Sequence, residues 1–243
     1  MSGYTYKARA KKPAYKKNYV KPALMPGIQR QVNALVRKQD EEKKGMDTTF
    51  NQTSVSAVLS GNDDSTCLNL VQMGTGSWNR VGRKIFLKSV RLRGEIINKF
   101  TPQTGSLNAN TFRMIVVWDK QPSGGVIPGF NTIFGHTTQT GAESAGLWDS
   151  VRYDNMQRFQ ILRDITFDAQ PKIYSSAVST EVHSFDEYIK LNGKETVYSG
   201  QADPMTWADI STGGLLVVVR ALFAAENNEF SLSNCVARLR YTD

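Results

Sequence analysis

From about residue 48 onward the chain shows almost no helical period and a long succession of strand-like segments, and this texture constrains the fold more than any other feature. The segments are FNQTSVSAVL (50–59), TCLNLVQM (66–73), KIFLKSVRLRGEIIN (84–98), TFRMIVVWD (111–119), RFQILRDITFD (158–168), VHSFDEYIKL (182–191), ETVY (195–198), GLLVVVRALFA (214–224) and the stretch 230–242. They are rich in Val, Ile, Phe, Tyr and Thr, which fit a pleated, half-buried surface, and clusters of Gly, Pro, Asn and Ser separate them. Within 182–191, Val182, Phe185 and Tyr188 fit no clean alternation. The segment after Gly213-Gly214 is apolar on both faces, which places it mid-sheet. Eight or nine such strands predict an all-β sandwich or barrel forming one domain. The connection from Lys120 to about Gln157, rich in Gly, Ser and Thr, is long for a compact domain, and loops of that length usually carry function.

Charge divides the chain differently. Residues 1–38 hold Lys7, Arg9, Lys11, Lys12, Lys16, Lys17, Lys21, Arg30, Arg37 and Lys38 with no Asp or Glu. The net charge of the whole is +8, so the basicity belongs to this front segment and the remainder is slightly acidic. Residues 1–26 show no hydrophobic period and cannot repay the entropy of ordering, which predicts a disordered basic arm. Ile28, Val32, Leu35 and Val36 lie at helical spacing between Pro26 and Gly45, so residues 27–45 read as a linker with a short helix. The β domain is then 46–243.

No apolar run reaches the ~18 residues of a membrane span, and the front of the chain is too polar for a signal peptide. Cys67 and Cys235 make no disulfide framework and suit a reducing compartment. The expectation is a soluble intracellular product without membrane partners. Chemistry is sparse. His136 lies in a loop and His183 in a strand-like segment, and neither cysteine neighbours a His or another Cys, so no zinc spacing exists. G-x-S-x-G and G-x-x-x-x-G-K-[ST] are absent. Asp63 with Asp64 and Asp149 with Asp154 could bind calcium or serve as acids, but such pairs arise routinely on surfaces. No catalytic residue, metal site or cofactor is assigned, and the chain reads as a non-enzyme.

What the charge does offer is affinity for an acidic polymer. A flexible polycation binds phosphates by releasing counterions and needs no shaped pocket. Tyr4, Tyr6, Tyr15 and Tyr19 lie among these charges and could stack on unpaired bases, which favours single strands over duplex. KKPAYKK also suits nuclear import, with host import factors as partners. A second basic run follows at Arg80, Arg83, Lys84, Lys88, Arg91 and Arg93. Ile85 and Leu87 face one way, and Val90 and Leu92 continue that face after a shift in phase, so the cations would line an exposed side. The competing reading is a solvated edge strand guarded against aggregation. Arg113 and Arg158 are further candidates for the patch.

The order of parts is also familiar. NRVGRKIFLKSVRLRGEI, FRMIVVWDKQPSG, RFQILRDITFD, EYIKLNGKETVYSG and a closing RLRYTD follow the basic, tyrosine-bearing arm. This resembles the capsid proteins of small circular single-stranded DNA viruses that encode a rolling-circle replication protein, a group related to geminiviruses and circoviruses. It is also similar to the capsids of plant satellite viruses with RNA genomes. The likeness spans about residues 78–243, and VGRKIFLKSVRLRG and MIVVWDKQPSG are its most specific parts. It implies a single eight-stranded jelly roll of two packed antiparallel sheets that self-assembles into an icosahedral shell of sixty copies. Arm and inner surface would face a circular single-stranded DNA genome, in the virion and in the host nucleus during assembly. The alternatives are the capsid of an RNA satellite virus and a cellular nucleic-acid-binding β module with a basic tail.

Overall fold

The computed structural model describes residues 43–55, 65–100, 110–122, 124–138, 141, 143–169, 179–200, 205–222 and 228–243. The arm, the helix expected over 28–36 and the Asp63–Asp64 pair lie outside them.

The strands are β1 (Lys44–Thr49), β2 (Gln52–Val55), β3 (Ser65–Cys67), β4 (Lys84–Phe100), β5 (Asn110–Asp119), β6 (His136–Thr137), β7 (Glu143–Ser144), β8 (Phe159–Ala169), β9 (Ser179–Tyr198), β10 (Ile210–Thr212), β11 (Gly214–Ala221) and β12 (Asn228–Thr242). A one-turn helix, α1 (Phe130–Ile133), interrupts the long connection. One sheet runs β1-β12-β4-β9-β10, with β2 continuing β1 along β12, and the other runs β3-β11-β5-β8. Every pairing in both is antiparallel. Taking β1 and β2 as one broken strand, and setting β10 aside, each sheet has four members. The connections pass back and forth between the sheets, which is the eight-stranded jelly roll.

The two sheets close on an aromatic and aliphatic core. Phe112 of β5 meets Phe230 of β12 across the gap at 5.5 Å between ring centroids, and Phe50 meets Phe185 at 6.4 Å. Asn69, fully buried just after β3, ties the layers at one end. Its amide nitrogen donates to Thr196 Oγ1 and to Gly213 O, both at 2.9 Å, and its Oδ1 accepts from Leu215 N at 2.9 Å. An amide so completely partnered carries little of the usual penalty of burying polar atoms.

Strand β5 is buried on both faces because a third layer covers the four-stranded sheet from outside. Phe130, Ile133 and Phe134 of the long connection join the core there. Arg220 of β11 lies 4.5 Å from the Phe130 ring and donates to Asn131 Oδ1, and its cross-strand partner Arg113 lies 5.3 Å from the Phe134 ring. The outer face of the six-stranded sheet carries no such layer among the described residues: Arg91, Arg93, Tyr188, Arg238 and Arg240 are all exposed on it.

Two irregularities shape this bare sheet. Opposite Lys88, three residues of β9 (Leu191, Asn192 and Gly193) fit between the partners of Leu87 and Ser89, and Asn192 and Gly193 take positive φ. On the other side, Leu87 and Ser89 pair with the consecutive residues Tyr241 and Arg240, leaving Lys88 as the extra residue of β4. The bulge shifts the inward set from Ile85 and Leu87 to Val90 and Leu92, as the apolar spacing predicts. Further along, Asn234 and Cys235 form a second bulge on β12 opposite Gly94. A Cβ at Gly94 would stand 2.8 Å from Cys235 Cα, so only glycine allows the strands this close.

Candidate nucleic-acid interface

The Lys88 bulge has a direct electrostatic result. Strict alternation would put Lys88 and Arg91 on opposite faces; with one extra residue in β4, Lys84, Lys88, Arg91 and Arg93 are all exposed while Leu87, Val90 and Leu92 are buried. β4 lies between β12 and β9, so the basic run is in mid-sheet, which excludes the edge-guarding reading.

Cross-strand register then brings in residues far away in sequence. Asp47, Arg238, Arg91 and Tyr188 form one row across β1, β12, β4 and β9. Arg240, Ser89 and Lys190 form the next row, and Val236, Arg93 and Asp186 the row on the other side. Arg91 grips Asp186 with two hydrogen bonds of 2.7 Å, from Nε to Oδ1 and from Nη2 to Oδ2. Arg93 Nε reaches Asp186 Oδ2 at 3.2 Å. Arg238 holds Asp47 in the same two-pronged way, at 2.8 and 2.7 Å. These forks orient the guanidinium planes through Nε and Nη2 and, among the described residues, leave Nη1 of Arg91 and Arg238 without a hydrogen-bond partner. Among the described residues Arg240 and Lys190 have no carboxylate partner. Glu95 borders the patch, where its Oε2 accepts from Asn234 Nδ2 at 3.2 Å.

The paired groups titrate accordingly. Hydrogen bonds from Arg91 and then Arg93 hold the Asp186 carboxyl down at about 2, and Arg238 lowers Asp47 in the same way. Arg91 is raised by its bond to Asp186, while the neighbouring charge of Arg238 opposes that rise. Like charges set directly across a ladder destabilise a sheet. The two carboxylates relieve part of that cost, and the surplus positive charge remains on an open face.

The remaining basic candidates have other roles. Arg80 is completely buried: Nε donates to Val71 O at 3.0 Å, and Nη1 and Nη2 donate to Gly82 O and Gly200 O at 2.6 Å each. Its guanidinium carbon stands 4.2 Å over the Tyr198 ring, and burial lowers its pKa. With its donors engaged inside the fold, it is a staple between the 71–82 turn and residue 200 and has no reach to an outside phosphate. Arg83 is exposed ahead of β4, and Lys84 pairs with Glu195 at 2.7 Å. Arg113 and Arg158 do not extend the patch, because they serve the other sheet. Arg113 binds Asp164 at 2.6 Å, and Arg158 binds the fully buried Asp119 at 2.7 Å. The arm residues Lys7 to Lys38 and the tyrosines Tyr4 to Tyr19 lie outside the described residues.

No catalytic constellation forms among the described residues. His136 Nδ1 is 2.9 Å from Asp149 Oδ2, and His183 Nε2 is 3.4 Å from Glu181 Oε1, on separate elements and with no nucleophile at either. No group of three His, Cys, Asp or Glu could hold a metal ion among these residues. Cys67 and Cys235 are separate buried thiols, and burial pushes them up to about 12 and about 11.

Residues 3–241 match a family described as geminivirus coat protein/nuclear export factor BR1 family. No curated protein matches the chain.

Proposed function

The chain belongs to the geminivirus coat protein/nuclear export factor BR1 family, and from that premise we propose that it is a structural capsid protein that assembles into a small closed shell around a circular single-stranded DNA genome. The simplest shell has sixty copies in T=1 arrangement. Subunits turn the bare six-stranded sheet inward, and the front arm and the arginine face together neutralise the genome. The protein acts in the virion and passes through the host nucleus, where the basic arm engages import factors. It needs no enzymatic step.

The single observation that supports this most is the placement of charge. Arg91, Arg93, Lys190, Arg238 and Arg240 share the only broad sheet face without a covering layer among the described residues. The chain that follows the ten-cation front segment enters the fold at Lys44, on the edge strand of that same sheet. Sixty arms of ten charges would offset on the order of 600 phosphates, a fraction of a kilobase-scale genome, so face residues have work left to do.

The test is imaging of the purified full chain by negative stain, with nuclease digestion of its contents before and after opening. Uniform shells holding DNase-sensitive material, protected until opening, are expected. Shells of virions containing RNA would move the assignment to the satellite-virus type, and the absence of particles at any salt or pH would overturn it in favour of a cellular binding module.

A further inference from the structure

Tyr188 is the only aromatic among the exposed residues of the arginine rows. Its ring is 59 % exposed on β9, directly across from Arg91, and a hollow of about 400 Å³ opens between it, Arg91, Arg93, Val236, Arg238 and Arg240. An isolated exposed tyrosine on a strand needs no explanation, since the residue suits a half-wet pleated surface. This one stands at the end of the row Asp47–Arg238–Arg91, whose two guanidiniums are each fixed by a carboxylate. A flat π-face, oriented cations and a compact hollow are thus combined in one place.

We propose that this hollow is a mononucleotide site: one unpaired base of a single-stranded nucleic acid stacks on the Tyr188 ring, and its flanking phosphates are bound by Arg91, Arg238 and Arg240. The proposal rests on the nucleic-acid reading above and specifies the contact. Three features point the same way. Base stacking on an aromatic needs a free base face, which duplex does not offer, so the site selects single strands. Arg238 and Arg240 are two residues apart on β12, a separation of about 6.6 Å along the strand, which is the scale of successive phosphates on an extended single strand. Nη1 of Arg91 and Arg238, unpartnered among the described residues, and Arg240, with no carboxylate partner there, supply charge-assisted donors, while the half-buried Val236 adds an apolar side chain to the lining. Tyr188 is therefore a positioning and selectivity contact built into the sheet, whereas the arm contributes affinity chiefly through its charge.

The test uses the full chain with the substitutions Tyr188→Ala and Tyr188→Phe, and oligo-dT, oligo-rU and a DNA duplex as probes. Affinities are compared at about 0.5 M salt, where polyelectrolyte binding by the arm is suppressed more than stacking is, and a salt series down to low salt supplies the slope. Tyr188→Ala is expected to weaken oligo-dT binding about tenfold to a hundredfold, with duplex binding unchanged and the slope of log affinity against log salt unchanged. Tyr188→Phe keeps the ring and should stay close to the parent. Photocrosslinking of a bromodeoxyuridine oligonucleotide to the parent protein should label the peptide containing Tyr188. A matching loss on oligo-rU extends the site to both sugars, and a loss on oligo-dT alone restricts it to DNA; both outcomes support the stack. Equal oligo-dT binding by the parent and Tyr188→Ala, with no crosslink at Tyr188, would overturn the proposal while leaving nucleic-acid binding by the arm intact. Failure of the parent to bind any probe even at low salt would overturn the broader reading as well.

Discussion

Lys44 Nζ lies 2.7 Å from Asp243 Oδ2, joining the start of β1 to the residue just past β12 across 199 positions of sequence. The Lys44 side chain is 6 % exposed and also donates to Asn79 O at 3.1 Å, while Asp243 accepts from Val81 N at 3.0 Å. This pair therefore fastens the edge strand and the 79–81 turn together. Removing one partner leaves the other charge in a confined site, so Asp243→Ala is expected to cost about 2 kcal/mol. The double substitution Lys44→Met with Asp243→Ala should recover most of that loss. Urea unfolding of the four members of this cycle measures the coupling, and additive effects would show that the two residues do not act as a pair.

Arg80 and Arg83 are close in sequence, yet only Arg80 is inside. Arg80→Leu should cost on the order of 3 kcal/mol, because three carbonyl oxygens lose their donor in a buried site. Arg83→Leu should stay within about 0.5 kcal/mol of the parent. Thermal unfolding of the two variants reads the difference, and similar midpoints would contradict the role of Arg80 as a staple.

Acid should loosen the bare sheet by a definite route. The Asp186 carboxyl is depressed to about 2 by Arg91 and then Arg93, below its ordinary value near 3.9. A carboxyl held lower in the folded state adds stability that is complete above about pH 4 and fades as pH falls toward 2. Both members of the Arg91–Asp186 pair are 46 % exposed, so the effect is modest. Urea midpoints between pH 5 and pH 2 should fall less steeply for Asp186→Asn than for the parent. Parallel curves would remove this pair from the acid response.

Deleting residues 1–21 removes seven of the ten front-segment cations and none of the described fold. The truncated chain is expected to keep its β circular dichroism and to lose most packaged nucleic acid. The ratio of absorbance at 260 and 280 nm in its particles checks this, and an unchanged ratio would show that residues 1–21 are not the main binder of packaged nucleic acid.

The sequence made the central strands plain and the margins obscure. Ile85, Leu87, Val90 and Leu92 announced the phase shift in β4 because burial of one face leaves a two-residue period even across a bulge. The apolar run of β11 likewise announced a strand covered on both faces. β1 was hidden in KGMDTT, where Met46 is the single apolar residue and pairing with β12 alone makes the strand. β9 read as two pieces since Asn192 and Gly193, ordinary turn formers, occupy a bulge inside one continuous strand. Val182 and Tyr188 broke the expected alternation because both are apolar or aromatic residues on the outward face, at 53 % and 59 % exposure. The alternating RLR before Tyr241 carried the signal for Arg238 and Arg240, but nothing local indicated that β4 and its arginines would lie alongside. Arg80 shows the opposite limit: only the folded chain brings the Gly200 carbonyl to its guanidinium.

The layer laid over the four-stranded sheet has an evolutionary consequence. The described residues of 130–158 are anchored from behind by Arg113, Arg220 and the Asp119–Arg158 pair, while the cations of the bare sheet sit on the far side of the core. Insertions and substitutions at the tips of that connection therefore change one exterior of the molecule without altering the other. A lineage built on this chain can vary the covering layer while the charge of the opposite sheet face stays constant.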